Sequence, residues 1–164
     1  MYIFGKINDF SHLIVKIIKC SFASKNMSKH EIDLQWENGM LFHSVVNGHK
    51  VFVDADASVG GSDKAPRPKP LMLVSLAGCT GMDVVSLLNK MRVEFSYFNV
   101  KVSAELTEEH PKVYSKVHIV YQIKGNNLDK SKVEKAVNLS QEKYCGVSAM
   151  FRKFAELSFE IQYL

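Results

Sequence analysis

Between Pro68 and Arg92 the chain reads PKPLMLVSLAGCTGMDVVSLLNKMR, and from Leu71 to Leu88 the only charge is Asp83. Pro68 and Pro70 suit the first turn of a helix, where fixed φ costs nothing and no amide partner is needed. Lys90 and Arg92 suit its negative end. A helix of about 22 residues is roughly 33 Å long, enough to cross a whole domain. Apolar character all round predicts that it is covered on every side. The run approaches the ~20 residues that span a bilayer. However, Ser75, Gly78, Thr80, Gly81 and Asp83 crowd its middle and strand patterns flank it, so a core helix of a globular domain is expected, with no membrane partner.

Those flanking patterns set the fold class. Ile32, Leu34 and Trp36 alternate with polar residues, and Glu37-Asn38-Gly39 supplies a turn. Leu41–Val46 and Lys50–Asp54 are joined by Asn47-Gly48, which makes a three-stranded meander. A loop rich in Gly, Ser and Pro, SVGGSDKAPRPKP, then leads into the helix and reads as open, adjustable backbone. Beyond the helix, 94–106 and 112–124 alternate with period two. Val113, Val117, Ile119, Tyr121 and Ile123 share one face, and Lys116, His118, Gln122 and Lys124 the other. A short helix over 129–137, capped by Asn127 or Asp129, a second over 141–154 capped by Ser140, and a strand over 157–163 complete the order βββ-α-ββ-αα-β. Strands grouped in runs predict an α+β fold with antiparallel sheets.

With 164 residues, 46% of them hydrophobic, the chain can bury one core. Its 21 Lys and Arg give a formal charge of +4, but they are scattered and no basic-aromatic stripe forms, so nucleic acid is not an expected partner. Residues 1–26 carry Lys6, Lys16, Lys19 and Lys25 against Asp9, and Lys16 interrupts the apolar patch LIVKII. That makes a poor secretory leader. The segment reads as an extension with no assigned role, Cys20 included, ahead of a single domain over 27–164. Three cysteines without a leader suggest a reducing, cytoplasmic compartment, in which a Cys pair is more often catalytic or redox-sensing than a structural staple. Zinc is not expected, since no CxxC or paired Cys/His spacing occurs, and His30, His43, His49 and His118 show no ligand-like pattern. His110 reads as a loop residue, and Met72, Met82, Met91 and Met150 as packing.

Cys79 and Cys145 carry the candidate chemistry, each read as lying within a helix. A buried helix cysteine can be inert packing, and the residues alone leave that reading open. The alternative is a working dithiol. A thiolate is the nucleophile in such chemistry, and free Cys with pKa ~8.5 is mostly thiol at neutral pH. Cys79 is too deep in its helix for the dipole alone to help, so a cation is needed. Cys145, beside Lys143 and shortly after Ser140, is better placed. Asp83 is a candidate buried base. Tyr144, Phe151 and Phe154 could line an apolar mouth.

LAGCTGMDVVSLLNKMR, EEHPKVYSKVHIVYQIKG and LSQEKYCGVSAM, in this order and spacing, resemble the OsmC/Ohr family of peroxide-defence proteins, and more closely its OsmC-like branch. The resemblance spans roughly 27–164. It implies an intertwined homodimer with long central helices packed back to back. It also implies thiol-dependent reduction of organic hydroperoxides: Cys79 attacks, Cys145 resolves the sulfenic acid as a disulfide, and an external dithiol of lipoyl or thioredoxin type replaces any bound cofactor. Strongly peroxidatic members carry a Glu nine or ten residues before the first Cys, paired with an Arg. Here Pro70 and Lys69 stand there, and Cys145-Gly146 replaces a common Cys-Pro. Arg67, Lys64 and Lys69 are left as supporting cations, with Asp56, Asp63, Asp83 and Glu142 to orient them. Loss of the Glu favours the other reading, a non-catalytic dimer that binds a small hydrophobic ligand at its interface.

Overall fold

The computed structural model describes residues 29–164, so the 1–26 extension and Cys20 lie outside the described residues. The chain divides into units 1–33 and 34–164, and every described strand and helix belongs to the second. Strands β1 (Leu34–Asn38), β2 (Leu41–Val46) and β3 (His49–Val53) form an antiparallel meander. After them comes helix α1 (Pro68–Lys90). Strands β4 (Tyr97–Leu106) and β5 (Tyr114–Lys124) pair antiparallel in a long hairpin, Val102 opposite Ile119. Helix α2 (Lys130–Leu139), a π-helical turn (Ser140–Tyr144), helix α3 (Gly146–Phe151) and β6 (Glu156–Tyr163) complete the chain. Asp129 caps α2 by accepting the Lys132 amide.

The fold is α+β, as the strand grouping predicts, but one pairing differs. β6 lies beside β5 in parallel register, from Lys116↔Glu156 to Ile123↔Tyr163. The helical return through α2 and α3 brings the chain back to the end of the sheet at which β5 began, and a crossover of that kind produces a parallel pair. Alternation of side chains reports faces and is blind to strand direction.

Val117, Ile119, Tyr121 and Ile123 of β5 are sealed in one cluster with Leu76, Val84 and Leu88 of α1 and Val133, Ala136 and Val137 of α2. Val113, expected on that face, lies before the strand and is exposed. Helix α1 buries a stripe repeating every fourth residue: Leu76, Thr80, Val84 and Leu88. This is how a core helix is used, although α1 is long and apolar enough to cross a membrane by length and composition. Its other side is bare within the chain, with Val74 63% and Met82 70% exposed, because one three-stranded sheet and two short helices can cover only one face. The meander likewise leaves Leu34, Trp36 and Val51 of its apolar face exposed.

The loop before α1 is stapled rather than open. Buried Asp54 accepts the amides of Ala55 (2.8 Å), Ser62 (3.2 Å) and Lys64 (3.0 Å) and the Ser62 hydroxyl (2.8 Å). These donors hold its carboxyl below the usual range, the Lys64 amide most of all. Gly61 is required here, because a Cβ would stand 1.9 Å from the Ala55 carbonyl oxygen.

Candidate active site

Cys79 and Asp83 stand one helical turn apart on α1 and therefore face the same way. Their spacing sets half of the site. Cys145 supplies the other half by an unexpected route. The chain does not run as one helix over 141–154: the turn at Ser140–Tyr144 widens to π geometry, with the Cys145 amide donating to the Ser140 carbonyl (2.9 Å). Cys145 then leaves helical geometry (φ −72°, ψ 98°) and becomes the N-cap of α3. Ser140, expected to cap this helix, continues α2 instead. Single π turns of this kind gather at functional sites, where the extra residue re-aims a side chain.

The two thiols meet there. Sγ of Cys79, Sγ of Cys145 and a carboxylate oxygen of Asp83 lie within 4.8 Å of one another. Cys145 is 3% exposed and its sulfur accepts the Ser148 amide (3.3 Å), while Cys79 is half-buried and accepts the Val147 amide. Burial pushes the Cys79 thiol up. The Val147 amide opposes that shift, and Cys145 and the Asp83 charge add to it.

A buried polar network, missed in the sequence, supports this cluster. Asp83 accepts the Ser140 hydroxyl (3.1 Å), and Ser140 and Thr80 share a hydrogen bond (2.9 Å). Thr80 bonds the Tyr121 hydroxyl, and Gln141 donates to Tyr121 (2.6 Å) and to Thr80 (3.1 Å). Arg152 closes the chain by donating to the Gln141 carbonyl (2.6 Å) and side-chain oxygen (2.7 Å). Burial raises the Tyr121 pKa, against the hydrogen bonds from Thr80 and Gln141. Thr80 carried a visible signal. It holds a core position between Leu76 and Val84, and a polar group there must find partners.

The expected supporting cations are elsewhere. Arg67 pairs with Asp56 (2.7 Å) and Asp63 before α1, about 18 Å along the helix axis from Cys79 at 1.5 Å per residue. Lys69 donates to the Lys112 carbonyl (2.8 Å). Both flank the helix start because their sequence positions place them there, so neither reaches Cys79 within the chain. Lys143 covers the Tyr144 ring at 5.6 Å. An open cavity of about 670 Å³ beside Cys145 is walled by Glu142, Tyr144, Arg152 and Phe159, among others. Of the expected aromatic mouth, Tyr144 lines it, while Phe151 is core and stacks on Tyr114.

Residues 61–160 match the family model described as OsmC-like protein. The chain belongs to the OsmC-like family. It is 33% identical over 126 residues to Protein YhfA of Escherichia coli K12, an alignment covering 76% of this chain and 91% of that protein. A hypothetical protein from Aquifex aeolicus superposes with TM-score 0.70 at 30% identity, covering 84% of this chain and 99% of that one. An organic hydroperoxide resistance protein of Legionella pneumophila has TM-score 0.61 and 16% identity, with 83% and 99% covered. At that identity the likeness shows the OsmC-like fold alone.

Proposed function

We propose that this protein is a homodimeric, dithiol-dependent reductase of small organic hydroperoxides, with Cys79 as the attacking thiol and Cys145 as the resolving one. The juxtaposition of the two sulfurs within 4.8 Å supports this most directly, because bond formation needs only about 2–3 Å of further approach. Their unequal exposure supports the division of labour: Cys79 is half-buried and Cys145 is 3% exposed. The Cys79 thiolate displaces alkoxide from the peroxide and becomes a sulfenic acid, and the alkoxide takes a proton to leave as alcohol. The Cys145 sulfur then attacks the sulfenic sulfur, expelling water and closing the disulfide. An external dithiol reduces that disulfide by exchange. The bare face of α1 and the bare meander support the homodimer.

Because burial raises the Cys79 pKa, thiolate is scarce at neutral pH. Thiolate rises with pH, so turnover should climb steeply, close to tenfold per unit, and still be rising past the ordinary thiol value of about 8.5. A cumene hydroperoxide assay with dihydrolipoamide tests the proposal. Cys79→Ser should abolish turnover, since a hydroxyl is too weakly acidic to replace the thiol. Cys145→Ser should complete one turnover and then gain two oxygens on the Cys79 peptide by mass spectrometry. Equal peroxide consumption by wild type and Cys79→Ser would refute the reading. The raised Cys79 pKa favours the runner-up, a non-catalytic binder of a small hydrophobic molecule, whose place would be the apolar groove of α1 and β4 lined by Val74, Met82 and Phe98.

A further inference from the structure

Asp83 has no use in the peroxide chemistry. Its carboxylate faces two sulfurs that must become anionic to react, and a negative charge there works against them. The same three groups make sense around a cation. Two thiolates and a carboxylate are a donor set for a thiophilic divalent metal rather than for magnesium or calcium, which take oxygen ligands alone.

We propose that Cys79, Asp83 and Cys145 bind one zinc ion per chain, with a water molecule as the fourth ligand. Zinc–sulfur bonds of about 2.3 Å and zinc–oxygen bonds of about 2.1 Å in a tetrahedron need sulfur–sulfur and sulfur–oxygen separations of roughly 3.5–3.8 Å. The three donor atoms already lie within 4.8 Å of one another, so contraction by about 1 Å completes the set. Each ligand is already oriented. The Val147 and Ser148 amides donate to the two sulfurs, and the Ser140 hydroxyl holds the Asp83 oxygen. Such outer hydrogen bonds fix ligand direction and spread thiolate charge. On binding, the two thiols release two protons to solvent, and the net charge of the cluster becomes −1. The half-exposed side at Cys79 leaves room for the water. Sequence spacing hides such a site, because one turn of α1 supplies two ligands and a helix break far along the chain supplies the third.

This inference goes beyond the peroxidase reading and does not depend on it. The test uses the full chain, reduced and free of oxygen, titrated with Zn²⁺ in competition with a chromophoric chelator, and separately with Co²⁺ for thiolate-to-cobalt charge-transfer absorption. One metal per chain is expected. Cys79→Ser and Cys145→Ser should each weaken binding more than tenfold and cut the cobalt band to about half, and Asp83→Asn should weaken it about tenfold. Cys20→Ser should change nothing, and melting followed by circular dichroism confirms that each variant is folded. Absence of saturable binding, binding that needs Cys20, or indifference to Asp83→Asn in a folded variant would each overturn the site. Peroxide turnover of the metal-free protein, measured on the same samples, is a separate readout. Turnover without metal binding removes the zinc site alone, and metal binding without turnover removes the peroxidase reading alone.

Discussion

On the β4–β5–β6 sheet, Val117, Ile119, Tyr121 and Ile123 are almost wholly buried beneath helices, whereas on the β1–β2–β3 sheet Leu34 and Trp36 are 51% and 65% exposed. Both sheets have three strands and an apolar face. The difference lies in the segment that each sheet's strands lead into along the chain. β4 and β5 lead into α2 and α3, which fold back and join α1 in closing a core. The meander leads into a loop that staples itself through Asp54 and then into a helix whose own buried stripe turns toward the other sheet. A single chain therefore finishes one sheet and leaves the other, with one face of α1, available to a partner.

The largest expected effect lies in the finished half. Leu88→Ala removes a fully buried side chain from the cluster around Ile119 and Val84 and should cost about 2–5 kcal/mol of stability in denaturant unfolding. A cost below ~1 kcal/mol would mean that this core is looser than its burial indicates. In the unfinished half, the expected effect is on association. Trp36→Ser and Met82→Glu alter residues that are 65% and 70% exposed in the chain, so folding of one subunit should tolerate them. If a second copy covers these faces, each change should weaken the dimer by about 2 kcal/mol, roughly 30-fold in dissociation constant, by sedimentation. Lys101→Ala, on the polar face of β4, serves as the control. An 18.5 kDa wild-type species at micromolar concentration would erase the comparison by showing that the bare faces need no partner.

The strands of both halves were legible in sequence, Leu41–Val46 of the meander to the residue. Strict alternation fixes one face of β5, and from Val117 to Ile123 the buried residues fall where it places them, because a half-covered strand has only two sides; at the bulge before them Tyr114 is buried and Val113 exposed. Cys79 and Asp83 share a face because helical periodicity requires it. The parallel direction of β6, the π turn and the network joining Thr80, Tyr121, Gln141 and Arg152 were not legible. The first and the last depend on contacts between residues far apart in the chain, as with Thr80 and Ser140, while the π turn is closed locally by the Cys145 amide on the Ser140 carbonyl. No local pattern encodes such a pairing, although a threonine within the stripe of Leu76, Val84 and Leu88 marked where a partner was needed. Within one chain Arg67 and Lys69 stand away from Cys79 for a related reason: nearness in sequence to a long helix places a residue at its end, not beside its middle.

The smallest expected effect tests where Arg67 acts. Asp56 is held at a pKa of about 2, chiefly by the Ser58 amide, then by the Ser58 hydroxyl and the Arg67 guanidinium. The folded value lies below the ordinary 3.8, so Asp56 contributes stability above the ordinary value and loses it as pH falls through about 2. Both partners are at least a third exposed, so solvent screens the pair and the contribution is small. Asp56→Asn should therefore lower the melting temperature slightly at pH 7, and the difference should shrink below the ordinary value of 3.8 and vanish only as pH falls past about 2. Peroxide turnover should not change, because Arg67 keeps its pair with Asp63 at the start of α1, about 18 Å from Cys79 along the helix. A change in the pH profile of turnover in Asp56→Asn would instead place Arg67 in working contact with a Cys79 thiol. Within one chain the helix geometry forbids that contact, so the thiol would belong to a second copy.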